Sequence, residues 1–223
     1  MDGLYTALVF VHILLFVAWL GGDIGVFILG QHFRKRHAYT LQTRLHLLKL
    51  LVLNDMAPRT AWALMVPVSL SMTALGGWAA LPAWLIGLSW GIGLAWLALV
   101  WWTYFEGQSA RAAVLKRIQF WLTVGLCAFY AGLALAGFSG LWEAPAWLSL
   151  KALLFAAIFA CAIMIDVAYK PVGKLLARLI EEGSSDETEE PLLAAMNVTR
   201  RWVLLLYALL LLIGAAGTVK PVF

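Results

Sequence analysis

The sequence predicts an all-α fold: a polytopic transmembrane helical bundle of about six spans, with both termini non-cytoplasmic, forming a single domain over residues 1–223. Three observations predict it. First, 63% of the residues are hydrophobic and 13% are charged, against about 25% charged in an ordinary soluble domain. Second, the deficit of charge is concentrated. From Thr60 to Phe105 there is no Asp, Glu, Lys or Arg, a stretch long enough for two crossings of a bilayer core that needs about 20 apolar residues each. Third, the basic residues alternate along the chain. All but Lys151 and Lys220 of the 16 lie in three segments, 34–59, 111–117 and 170–201.

The spans are expected at 4–30, 60–77, 82–105, 118–138, 147–169 and 201–218. The first opens after Met1-Asp2-Gly3, which lacks the basic stretch of a cleaved signal, so it is expected to persist in the mature protein. Gly76–Pro82 turns the second span into the third. By the positive-inside rule the three basic segments are cytoplasmic, which places the termini and the Gly/Pro/Trp-rich loops outside. This orientation suits a bacterial inner (cytoplasmic) membrane. The net charge of +4 is explained by those loops and does not call for nucleic acid.

The tryptophans fit the same frame, because indoles favour the two interfacial layers. Trp78, Trp84, Trp142 and Trp147 fall at the outer boundary, and Trp62, Trp101, Trp102, Trp121 and Trp202 at the inner one. Trp19, Trp90 and Trp96 are left deeper and call for a packing or site role. Two cytoplasmic segments are not spans. Leu41–Leu53 is apolar with scattered basic residues and is expected to lie at the interface or to extend the second helix inward. Glu181–Glu190 is acidic and serine-rich and reads as a solvated, mobile loop.

Charges inside a bilayer are costly and mark candidate functional positions. His12 and Asp23 in the first span are eleven residues apart, about three turns, and therefore share a face. Trp19 lies on the same stripe, and Gly21, Gly22 and Gly25 would admit a neighbouring helix. His12 reads either as a buried histidine bonded to a neighbour or as a metal or heme ligand, since neutral imidazole serves both. Lys151 reads either as a snorkelling lysine or as the counter-charge of an anionic group. Asp23 pairs with a cytoplasmic arginine or relays protons, and Asp166 is expected to pair with Lys170 at i+4. Asp55 is expected to cap the second span ahead of Pro58 and to pair with Arg59, while Pro67 is expected to kink that helix. His32, His37 and His46 match no strong metal signature, and His46 is the one placed to dock on the bundle. No P-loop, dinucleotide fingerprint, Cys-x-x-Cys, Gly-x-Ser-x-Gly or copper-rich tract is present. Cys127 and Cys161 fall in apolar runs and read as small buried side chains.

One pattern stands out: His12 followed by Trp19-Leu20-Gly21-Gly22, and a later span opening Ala146-Trp147-Leu148-Ser149-Leu150-Lys151. It resembles the membrane-bound protoporphyrinogen oxidases of the heme J type and, more broadly, the copper-resistance D-type membrane proteins. The resemblance matches residue by residue at His12 and Lys151, with Trp19 and Gly21 in support. It implies heme b as cofactor, His12 as its metal ligand, and Lys151 paired with a propionate or an anionic substrate. The chain departs from that group in an additional C-terminal span and at Asn54–Arg59.

The expected function is a heme b-binding membrane redox protein, a quinone-linked oxidoreductase with the bilayer as its surroundings and a homo-oligomer as a further expectation. Trp19 would flank the porphyrin, Met72 would offer a second ligand, and Asp23 and Lys151 would carry catalytic roles. Two other readings stay open: a permease component for copper or a small solute, using His12, Met65 and Met72, and a non-catalytic membrane scaffold.

Overall fold

The computed structural model describes residues 2–107 and 109–221, and among them there are helices and no strand. The helices are α1 (Asp2–Phe33), α2 (Leu41–Asn54), α3 (Met56–Leu75), α4 (Ala83–Glu106), α5 (Ala110–Phe138), α6 (Ala146–Glu182) and α7 (Asp186–Val219). α1, α4, α5, α6 and α7 are each long and apolar enough to cross a membrane, which fits an integral membrane protein. α3 is the sixth helix of the bundle and has no membrane-length stretch as apolar as those of the other five. The cause is its position. Ala61, Ala63, Val66, Pro67 and Ser71 are all buried, so protein rather than lipid surrounds α3 and small or polar residues suffice there.

Neighbours run α7–α6–α5–α4–α3–α1. α1 returns to α7 where Tyr207 donates to the Asp23 carbonyl at 2.5 Å and Phe16 fills the space at Gly214. The middle layer is packed with rings. Trp62 lies 4.8 Å from Trp96 and 5.0 Å from Phe159, and Tyr130 lies 4.6 Å from Phe155. Trp62, partly buried, thus packs against the aromatic core. Trp19, 4% exposed, and Trp96 join the same cluster. Trp90 donates to the Ser71 hydroxyl at 3.0 Å. All three deep tryptophans thus have packing roles. Outward-facing Phe10, Ile13, Leu14, Val17 and Ile24 of α1 present the apolar surface that lipid requires.

The helices extend past the expected spans at the basic end. α6 has 37 residues, about 55 Å at 1.5 Å per residue, against a hydrocarbon core of about 30 Å. α6 continues through Pro171 and α7 begins at Asp186. The acidic segment is therefore not a mobile loop: only Gly183–Ser185 separates two helices, and a reciprocal Ser185–Thr188 capping box starts the second. These extensions build a second small core of Phe33, Val172, Leu179 and Leu192 against Leu41 and Leu48 of α2.

α2 is a helix of its own, started by the Thr40 hydroxyl accepting from the Thr43 amide at 3.2 Å, and it packs on α1. The predicted glycines explain how. Asn54 donates to the Gly22 carbonyl at 2.7 Å. A Cβ at Gly22 would meet the Pro58 ring at 2.6 Å, and one at Gly25 would meet the Asn54 amide at 2.7 Å. Gly21 instead faces open space. Asp55 makes no capping bond to α3; its carboxylate is held by Arg59 at 2.5 Å. His46 is exposed, and Arg44, two residues back and therefore on the opposite face of α2, is the residue that docks. Pro67 lies inside α3 with its ring against Gly93 of α4.

Candidate functional site

Among the described residues, two groups of ionisable side chains stand out along the helices, and Arg59 and Asp166 of the second are exposed. The first is near the tryptophan-rich end. His12 stands about 15 Å along α1 and Lys151 about 8 Å along α6, at 1.5 Å per residue. The charge of Lys151 acts on the His12 imidazole, and further in the side chains of α1 and α6 approach where the Trp19 and Phe155 rings lie 6.3 Å apart. The His12 Nδ1 is enclosed and has no hydrogen-bond partner. Lys151 makes no ion pair among the described residues. Its ammonium lies against Gly217 of α7, where a Cβ would come within 2.7 Å of Nζ. The last span thus completes this site.

The second group lies at the inner boundary. Asp23, Asp55, Arg59 and Asp166 act on one another electrostatically, and Tyr169 and Tyr207 border them. Trp19 neighbours Asp23, which joins the face predicted for α1. Lys170 lies over the Phe120 ring at 5.9 Å and makes no ion pair with Asp166 among the described residues. Trp19 is packed between Trp62 and Phe155. Met72 is buried in the last turn of α3.

The residue that sequence reasoning missed is Arg44. It is 1% exposed, binds both oxygens of Glu189 at 2.5 and 2.8 Å, and donates to the Phe33 carbonyl at 2.6 Å. Neither residue's local sequence pointed to the other, because its partner sits in a distant acidic run. Glu189 also accepts from Ser184 at 2.6 Å. The Arg44 hydrogen bonds hold the Glu189 carboxyl below the usual glutamate range.

Among the described residues, no three His, Cys, Asp or Glu side chains are placed to hold a metal ion together. His32 is bonded to Tyr39 at 2.8 Å and His37 accepts from Arg36 at 3.2 Å. A heme needs a single imidazole, and a half-buried imidazole whose Nδ1 is enclosed and unbonded, near an ammonium that makes no ion pair among the described residues, fits that donor set. An apolar cleft of about 310 Å³ lies between α3, α4 and α5, bordered by Leu70, Leu88, Ser89, Trp121 and Phe129; neither His12 nor Lys151 lines it. Comparison with protein-family models, curated proteins and solved structures finds no match.

Proposed function

We propose that this chain is a membrane heme b protein that carries electrons, with His12 as the iron ligand and a bilayer quinone as redox partner. The observation that supports the reading is the His12 imidazole, buried at Nδ1 without a partner. An unmet buried polar atom costs about 1–3 kcal/mol, so its retention suits a group whose partner is a ligand. A bound heme supplies one-electron chemistry. The chain contributes the imidazole, the Lys151 charge beside it, and a ring-packed interior that keeps water out of the middle layer. Met72 is the sulfur proposed as a further ligand. The inner carboxylates, Asp23 foremost, would pass protons toward the basic side. In this reading the basic ends of the helices are cytoplasmic, the termini lie outside, and the membrane is a bacterial inner membrane.

The ring cluster that closes the middle of the bundle argues against a central path for a solute. The test is an absorption spectrum of the detergent-purified protein, expressed with heme precursor supplied. A Soret band with reducible α/β bands, abolished by His12→Ala, is expected. Colourless protein carrying stoichiometric copper would replace this reading with the permease, and colourless, metal-free protein would leave the scaffold.

A further inference from the structure

At the tryptophan-rich end, the Lys151 ammonium lies against Gly217 of α7, and Lys220, three residues further on, lies over Trp78 and Trp147. The charge of Lys220, just past α7, acts on Lys151. Its Nζ stands 5.0 Å from the Trp78 ring and 5.4 Å from the Trp147 ring. Those indoles pack edge to face at 5.0 Å, and Tyr5 closes on Trp78 at 6.0 Å. Four helix ends therefore converge here: α1 through Tyr5, α3 through Trp78 just beyond it, α6 through Trp147 and Lys151, and α7 through Gly217 and Lys220. Neither lysine makes an ion pair among the described residues.

A snorkelling lysine turns its head away from the protein into headgroup water. These two do otherwise. Lys151 is only partly exposed and its ammonium fills the notch that Gly217 leaves. Lys220 folds back over two indoles. Bringing like charges together is unfavourable, and an ammonium offers three donors and no acceptor. An anion between them would relieve the repulsion and accept those bonds, in a layer where lipid headgroups end.

We propose that Lys151 and Lys220 form a binding site for the anionic head, phosphate or carboxylate, of a membrane amphiphile, with Trp78 and Trp147 as its apolar floor. The site does not depend on iron at His12, and it gives a role to Lys220, which the heme reading leaves unused.

Native mass spectrometry of the full detergent-solubilised chain tests it. The probes are phosphatidylglycerol, palmitate and phosphatidylcholine at equal concentration. Retention of phosphatidylglycerol or palmitate at least tenfold above phosphatidylcholine is expected. Preference for phosphatidylglycerol alone names a phospholipid head, and preference for palmitate alone names a free carboxylate. Lys151→Gln and Lys220→Gln should each lower the preference about tenfold, and Lys151→Arg should keep most of it. Lys220 is exposed, so Lys220→Gln reports even if the Lys151 variant fails to fold. Equal retention of all three probes, or an unchanged preference in Lys220→Gln, overturns the proposal. His12→Ala should keep the preference while losing any Soret band, which separates failure of this site from failure of the heme reading.

Discussion

Arg44 and Glu189, 145 residues apart in the chain, form a bidentate ion pair beneath the bundle. Their side chains are 1% and 0% exposed, and the arginine also lies over the Phe33 ring at 4.8 Å. The pair joins α2 to the start of α7, outside the spans. Removing one partner of a buried pair strands the other charge, at a cost of about 3–5 kcal/mol. Arg44→Met and Glu189→Leu should each lower thermal stability in detergent by that order. The double variant should recover most of it, since an apolar replacement of both leaves no charge stranded. Single variants that melt with the wild type would show that the pair does not anchor α2.

The same pair sets a pH dependence. Glu189 titrates below the usual glutamate range, chiefly through the Arg44 hydrogen bonds. A depressed carboxyl contributes stability that is fully present above the unfolded value, about 4.3, and lost as pH falls through the folded value. The wild type should therefore exceed Glu189→Gln in melting temperature at pH 7, and the gap should narrow below about pH 4. A gap that stays constant to pH 3 would falsify this assignment.

Gly22 seats the rigid Pro58 ring, which a Cβ would meet at 2.6 Å. Overpacking of this kind costs about 1–3 kcal/mol. Gly22→Ala should lose that much stability. Gly21→Ala, facing open space, should be neutral or gain up to about 1 kcal/mol from helix propensity. Equal effects at the two positions would mean that α1 does not seat the start of α3 in this way.

The Tyr130 hydroxyl is buried beside Ser69 and makes no hydrogen bond of ordinary geometry. Deleting it removes an unmet polar atom, so Tyr130→Phe should leave stability unchanged or raise it by about 1 kcal/mol. A loss larger than that, measured by thermal melting, would show that the hydroxyl serves a bound group.

For the heme reading, Lys151→Met tests the charge beside His12. A nearby cation favours the reduced, less positive iron, so its removal should lower the midpoint potential by tens of millivolts, an order-of-magnitude expectation. The Soret intensity should be kept. Unchanged potential and unchanged activity together would remove Lys151 from the site.

Much of this architecture was legible in the residues taken in order. Apolar length located the long helices, since a bilayer-crossing helix satisfies its own backbone and needs only apolar side chains outside. The spacing of His12, Trp19 and Asp23 put them on one face of α1, and Gly22 and Gly25 on that helix marked where a neighbour comes close. What lay beyond local sequence was every relation between helices. That α3 is enclosed, that Trp62 packs on Trp96 and Phe159, that Gly217 houses the Lys151 ammonium and that Arg44 finds Glu189 are contacts between segments far apart in the chain. Composition and periodicity record how one helix meets its surroundings. Only the packed bundle decided whether those surroundings are lipid, water or a particular side chain.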